Sequence, residues 1–197
     1  ANGQPLARNP LKDVRVRQAL SCAINRAAIV DRVMEGAATV ASNLLPEGTP
    51  GTSAQLGVTP YDPERARGLL TAAGYPNGVT IRVAYINTPA FAVNNRIAEL
   101  MKDQAAKAGI TLQLQPIEYA QYFPMVVNGT YQLFTSASPM ESDPDALFLN
   151  AVSASPRAKC RDPKVDSLVN QERAETDPAK RVKVLDELQR YLREQVY

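Results

Sequence analysis

The order of strand-like and helix-like segments between residues 79 and 136 constrains the fold of this chain more than any other feature. Apolar residues alternate with other residues in the strand-like segments, and they recur at helical spacing in the segments between them. A succession of strand, helix and strand joins parallel strands through right-handed crossovers, so the predicted class is α/β. In order, the pattern predicts a strand at 79–85, a helix at 92–108, a strand at 110–115, a weaker helix at 118–128 interrupted by Pro124, and a strand near 131–136.

Four Asp-Pro pairs mark the starts of further helices. An aspartate can cap a helix N-terminus, and proline suits the first helical position because its missing N–H leaves no hydrogen bond unmade there. The pairs predict a helix over about 63–73, ending at Gly74, and another from residue 178 onward. They are Asp62-Pro63, Asp143-Pro144, Asp162-Pro163 and Asp177-Pro178.

Residues 13–34 predict two short helices near the start of the chain. Asp13 is a suitable N-cap for the first helix, and Asn25 can cap the second, which is expected to end at Gly36. Each helix carries one apolar stripe, and we interpret both stripes as surfaces that pack in a core. The stripes are Val16, Ala19, Leu20, Ala23 and Ile24 in the first helix, and Ile29, Val30, Val33 and Met34 in the second.

Charge and hydropathy exclude two classes of protein. The 22 basic and 20 acidic residues are dispersed and give a net charge of +2. A nucleic-acid-binding surface would require basic residues clustered in a patch or stripe, and the sequence shows no such cluster. No apolar run approaches the roughly 20 residues that a membrane-spanning helix requires.

Residue types also limit the chemistry. The sequence contains no histidine, which excludes nucleophilic catalysis by a Ser/His or Cys/His pair. Cys22 and Cys160 are too few for a zinc site, and they are compatible with either a disulfide or two free thiols. No cofactor is predicted.

A carboxylate-based hydrolase using Glu141, Asp143 and Asp145 is an alternative. Acids beside a proline, however, are usually helix caps. A binding role is therefore favoured, with its site in loops at strand ends.

Several segments together resemble one family. The resemblance covers nearly all of the chain, and it is to the peptide-binding class, family 5, of bacterial extracellular solute-binding proteins, the receptors of dipeptide and oligopeptide ABC importers. The order and spacing of the segments make coincidence improbable. They are residues 13–30 (DVRVRQALSCAINRAAIV), 45–51 (LPEGTPG), 61–78 (YDPERARGLLTAAGYPNG) and 176–181 (TDPAKR).

The resemblance implies a fold and a domain organisation. It implies a periplasmic-binding-protein-like (type II) lobe, in which helices flank a central, largely parallel sheet. Residues 1–12 are then a lead-in segment from the hinge side. Residues 13–197 are the second lobe of a two-lobe protein, and the chain is a fragment without the other lobe.

The resemblance also implies a function. It predicts the substrate-binding component of a peptide ABC importer, a monomer on the periplasmic or extracellular face of a bacterial membrane. Such a receptor captures its solute by closure of two lobes and delivers it to a membrane permease. The alternative is a receptor for another small solute, such as glutathione or a nickel complex.

Residues 136–145 (SASPMESDPD) resemble a loop of this family that carries a DPD motif. In peptide-binding members, an acidic residue just before this motif pairs with the α-ammonium group of the peptide. Met140 or Glu141 falls at that place, so the resemblance implies Glu141 as the anchor and Asp143 as the second candidate. The family's tryptophan is replaced by Ala137 or Ser138, which removes a flat aromatic wall from the predicted site.

Two further loops contribute candidate ligand-binding residues. Thr88 occupies the region where dipeptide receptors carry an arginine for the ligand carboxylate. This departure favours a longer peptide or another amine-bearing solute over a short peptide held at both termini. Tyr119 matches an aromatic pocket position of the family, although ordinary packing would also explain an aromatic residue there. The predicted ligand-binding residues are Glu141, Asp143, Tyr119, Thr88 and Ser138.

Overall fold

The structure is a computed structural model, and it describes residues 9–53, 55–135, 144–148, 152–155 and 161–197. The chain forms two compact units. The first comprises Ala1–Val40 and Thr59–Ala137, and the second comprises Ala41–Val58 and Ser138–Tyr197.

A three-stranded sheet forms the centre of the first unit. Its strands are β1 (Val79–Ile86), β2 (Ile110–Ile117) and β3 (Leu133–Phe134), in the order β2-β1-β3. Both pairings are parallel, which confirms the prediction made from the alternating segments. The third strand is shorter than predicted, although the Thr135 N–H extends the pairing by donating to the Ala84 carbonyl at 3.0 Å.

The helices begin where their capping residues predict. The Asp13 carboxylate accepts from the Arg15 N–H at 2.9 Å, and the Asn25 side chain accepts from the Ala28 N–H at 3.0 Å. Asp62, Asp162 and Asp177 cap their helices in the same way. The helices are α1 (Val14–Cys22), α2 (Arg26–Arg32), α3 (Pro63–Ala72), α4 (Ala92–Ala106), α5 (Tyr119–Asn128), α6 (Pro144–Phe148), α7 (Pro163–Ala174) and α8 (Pro178–Gln195), with 3-10 turns at Pro10–Lys12 and Pro89–Phe91.

Two helices differ from the sequence prediction. Helix α2 ends at Arg32, before the predicted stop at Gly36, and the chain then turns through positive φ angles at Glu35 and Gly36. Helix α5 runs through Pro124, where an interruption was predicted. Proline removes the N–H that would bond to the carbonyl of Ala120. Ala120 is exposed, so water can satisfy that carbonyl and the helix continues.

One face of the sheet carries the core of the first unit. Val79, Ile81 and Val83 of β1 and Ile110 and Leu112 of β2 point to this face and are buried. They pack with buried residues of α1, α3 and α4, which are Val16, Ala19, Cys22, Ala66, Leu70 and Ala105. The opposite face carries Thr80, Thr111 and Gln113, which are exposed, so only one face is covered along the full length of the strands.

Helices α7 and α8 form the core of the second unit. Leu168 and Val169 pack with Leu185 and Leu188 in one apolar cluster. The segment 41–58 is held against α8 by polar contacts as well as by Leu45. Gln189, which is buried, donates to the Gly51 carbonyl, and Arg193 donates to the carbonyls of Ser42 and Gly57.

Candidate functional site

The candidate site lies beyond the carboxyl ends of the parallel strands. β1 and β2 end side by side, and the Asn87 N–H extends their pairing by donating to the Ile117 carbonyl at 3.0 Å. β1 is the central strand. The chain passes from β1 to β2 on one side of it, and then crosses back from β2 to β3 on its other side. The connections that follow neighbouring strands thus run in opposite directions across the sheet. In open α/β sheets, ligands bind at such a topological switch point, in the crevice outside the carboxyl ends of the strands.

The structure brings Tyr119 and the loop of Thr88 to the same edge. Thr88 precedes the turn at Pro89–Phe91, and its carbonyl accepts from the Phe91 N–H at 2.9 Å. Phe91 stacks on Tyr119 with ring centroids 6.0 Å apart and an interplanar angle of 29°. The Tyr119 residue is 62% exposed. Phe91 is half-buried, so the exposed Tyr119 ring is the aromatic surface that is available to another molecule at this edge.

Sequence reasoning missed Phe91 as a member of the site. Its only signal was an aromatic residue soon after a strand end, in the Pro89-Ala90-Phe91 turn. The loop is further held by a hydrogen bond of 2.9 Å between the side-chain amides of Asn87 and Asn95. The turn and this bond hold the Phe91 ring against Tyr119.

A cleft of about 540 Å³ opens beside α5, on the sheet face opposite the core. The carboxyl halves of β1 and β2 form one wall, and the flank of α5 forms the other. Its polar lining consists of amide and hydroxyl groups, so it offers neutral hydrogen-bond donors and acceptors. The lining residues are Ala84, Gln115, Pro116, Ile117, Ala120, Gln121, Pro124, Met125, Asn128 and Thr130.

Three of the predicted ligand-binding residues lie outside the described residues. These are Glu141, Asp143 and Ser138, so their roles stay predictions. Asp145, the second aspartate of the DPD motif, is described, and its Oδ1 accepts from Arg173 Nε at 2.6 Å. Among the described residues that follow the strand ends, at 87–91, 118–121 and 135, the one carboxylate is that of Glu118, which is exposed.

Two other features bear on the predicted chemistry. Cys22 is a buried free thiol in α1, and Cys160 lies outside the described residues. None of the helices in the described parts of the chain combines the length and apolarity that crossing a bilayer requires.

Residues 2–159 match the family described as bacterial extracellular solute-binding proteins, family 5 middle. The di/tripeptide-binding protein 1 of Pseudomonas aeruginosa (strain UCBPP-PA14) is 31% identical over 195 residues, which are 95% of this chain and 36% of that protein. Heme-binding protein A of Haemophilus influenzae (strain ATCC 51907) is 32% identical over 191 residues, which are 91% of this chain and 34% of that protein. The chain thus spans about a third of the length of these curated relatives.

A solved structure supports the same fold. The solute-binding protein MoaA of A. tumefaciens R10, in complex with mannopinic acid, superposes with a TM-score of 0.82 at 28% identity. The match covers 96% of this chain and 39% of that chain. The chain therefore has the α/β fold of the periplasmic binding proteins, as predicted.

Proposed function

This chain belongs to family 5 of the bacterial extracellular solute-binding proteins, and from that membership we propose that it is part of a receptor that binds peptides for an ABC importer. The observation that carries the proposal is the exposed Tyr119 ring, stacked on the half-buried Phe91 beside an amide-lined cleft at the carboxyl edge of the parallel sheet. The receptor acts on the periplasmic or extracellular face of the membrane and hands its solute to a permease. It works as a monomer and catalyses no reaction.

The chemistry of the edge suits a peptide. Peptide units present alternating N–H and carbonyl groups, which the amides of Gln115 and Asn128 can match because each amide both donates and accepts. Apolar or aromatic side chains of the solute can lie on the Tyr119 ring. Glu141, with Asp143 as the second candidate, supplies the negative charge for the α-ammonium group.

The chain contributes one lobe of this receptor. Since it spans about a third of its relatives' length, the rest of the intact protein supplies the other wall of the binding site. A ligand enclosed by two lobes buries most of its surface, whereas one lobe alone leaves much of the ligand in water. Closure of the two lobes then produces the form that the permease recognises.

A receptor for a solute other than a peptide is the second candidate. The position of Thr88, where dipeptide receptors carry an arginine, favours it because a ligand carboxylate would have no cationic partner in this loop. The heme-binding protein A of Haemophilus influenzae is 32% identical to this chain, and the MoaA structure that contains mannopinic acid is 28% identical.

Native mass spectrometry of the intact protein, purified from its source, identifies the solute directly. A co-purified peptide is expected. Heme, mannopinic acid or another non-peptide solute would replace the peptide assignment with the second candidate, and turnover of the bound molecule would favour an enzyme.

The 197-residue chain by itself is expected to bind peptides weakly. It provides only one of the two surfaces that enclose the ligand, so most of the apolar burial is lost. Calorimetry with the peptide identified above, on the chain and on the intact protein, measures the difference. Micromolar binding by residues 1–197 alone, which is about −8 kcal/mol, would contradict the two-lobe proposal.

Replacing Tyr119 with alanine in the intact protein is expected to weaken peptide binding about 2- to 10-fold. This corresponds to the roughly 0.5–1.5 kcal/mol of an aromatic contact. Tyr119→Phe keeps the ring and should bind nearly as the wild type does. Phe123→Ala removes an exposed ring from the same helix and is the positional control. Equal affinities for the Tyr119→Ala variant and the wild type would remove Tyr119 from the site.

A further inference from the structure

Arg82 of β1 lies on the sheet face opposite the core. Side chains alternate along a strand, so Thr80 and Ala84 share this face with Arg82, and Ala84 lines the cleft beside α5. In the parallel register, Gln113 of β2 is the partner of Arg82, and the lining residue Gln115 is the partner of Ala84. The Cα of Arg82 is therefore about 7 Å from the Cα of Ala84, at the end of the cleft nearest the amino ends of the strands.

A glutamine holds the guanidinium group of Arg82 in place. Gln132 Oε1 accepts from the backbone N–H of Arg82 at 2.9 Å and from Arg82 Nε at 3.3 Å. These two bonds leave the N–H groups of Nη1 and Nη2 for other acceptors. Within the described parts of the chain, no carboxylate pairs with Arg82 and no oxygen accepts from Nη1 or Nη2.

The surroundings of Arg82 favour an anion. The side chain is half-buried, and a charge that has lost part of its hydration is stabilised by an opposite charge. The planar guanidinium group offers paired N–H donors whose spacing matches the two oxygens of a carboxylate. Thr80 and Gln113 are exposed on the same face and add a hydroxyl and an amide donor. A carboxylate group therefore suits this position.

We propose that Arg82 binds the carboxylate group of a solute that lies in the cleft, an inference that rests on the proposed peptide function. Nη1 and Nη2 of Arg82 donate to the two carboxylate oxygens, and Gln132 keeps the guanidinium group oriented. The amides that line the cleft bind the peptide units, and the other end of the solute reaches the edge where Tyr119 is exposed.

The position of Arg82 along β1 sets the length of such a peptide. Arg82 precedes Ile86, the last residue of the strand, by four positions, and this corresponds to about 13 Å. An extended peptide needs about four residues to cover that distance. Tyr119 begins α5, just beyond the carboxyl ends of β1 and β2. Peptides of about four residues are therefore favoured over dipeptides, which are too short to reach both Arg82 and Tyr119.

Nitrogen-15 NMR of the intact protein, with acetate as the probe, tests the site without a peptide. The Arg82 Nε–H resonance, assigned by its disappearance in Arg82→Gln, is expected to shift with acetate until it saturates. Arg65, which is exposed on α3, is the control arginine and should show no saturation. Sodium chloride at equal ionic strength separates carboxylate binding from general screening. Equal responses of Arg82 and Arg65, or of Arg82 to acetate and to chloride, would overturn the proposal.

Calorimetry with tetraalanine and its carboxyl-terminal amide tests the contact with a solute. Amidation removes the negative charge but keeps the length and the amino terminus. The intact wild type is expected to bind the amide about 10- to 30-fold more weakly, the lower part of the range for a hydrogen bond between charged groups because Arg82 is only half-buried. The difference should disappear in Arg82→Gln and remain in the control variant Arg65→Gln.

The outcomes separate the Arg82 site from the proposed function. Equal affinities of the wild type for the two peptides, which needs no variant to measure, would remove Arg82 from the site while peptide binding stands. A difference that persists in Arg82→Gln would do the same. If neither peptide binds the wild type, the peptide proposal fails, and the acetate titration decides whether Arg82 binds carboxylates.

Discussion

Replacing Gly78 with alanine is expected to destabilise the protein by about 2–5 kcal/mol. Gly78 has a φ of +89°, a conformation that costs an L-residue with a Cβ about 1–2 kcal/mol. The added Cβ would also overlap the carbonyl oxygen of Gly109, which belongs to backbone and cannot rotate away. Overpacking of this kind costs about 1–3 kcal/mol more. The Val79 N–H donates to that same carbonyl at 3.0 Å, so the start of the β1–β2 pairing would be displaced.

Gly109→Ala is the matched control for this prediction. Gly109 lies across the same contact and has a φ of +81°, but a Cβ there would be 3.7 Å from its nearest neighbour, the Cα of Gly78. It should therefore cost about 1–2 kcal/mol, from the backbone conformation alone. Urea unfolding of the two variants and the wild type measures both effects. If the two variants are equally unstable, a small backbone shift relieves the overlap with the Gly109 carbonyl. The close approach of the two glycines then adds nothing to the cost of a Cβ at Gly78.

The parallel sheet was predictable because local patterns and chain connectivity agree. β1 and β2 each alternate in hydrophobicity, and a helix between them allows only a crossover connection. Gly78 and Gly109 stand just before the two strands and meet in space, which explains why both strands begin at the same level. The Asp-Pro caps were predictable for a similar reason, since the capping contact spans only two or three residues.

The contents of the site were less predictable. Phe91 and Tyr119 are distant in sequence, and they meet only because the parallel register ends β1 and β2 together. The buried Glu172 was also missed. Its position on α7 is typical of an exposed helix acid, and only the packing of α8, whose Arg181 pairs with it, shows that it is buried. Glu141 stays a prediction from sequence because it lies outside the described residues.

Glu141→Gln in the intact receptor is expected to weaken the binding of a peptide with a free amino terminus about 30- to 150-fold. The substitution removes one charge and nearly preserves the shape of the side chain. Loss of a partly desolvated, charge-assisted hydrogen bond costs about 2–3 kcal/mol, which corresponds to that change in affinity. Glu118→Gln removes an exposed acid next to β2 and is the control variant.

Acetylation of the peptide's amino terminus distinguishes an anchor from a general change in affinity. It removes the positive partner of the same contact, so it should cost the wild type about as much as Glu141→Gln does. The two changes should not add, because both delete one interaction. Calorimetry of free and acetylated peptide, with wild type and variant, completes this cycle. If acetylation weakens binding to the same extent in both proteins, the ammonium group is held elsewhere. Asp143→Asn, in the same cycle, then determines whether Asp143 or the other lobe provides the charge.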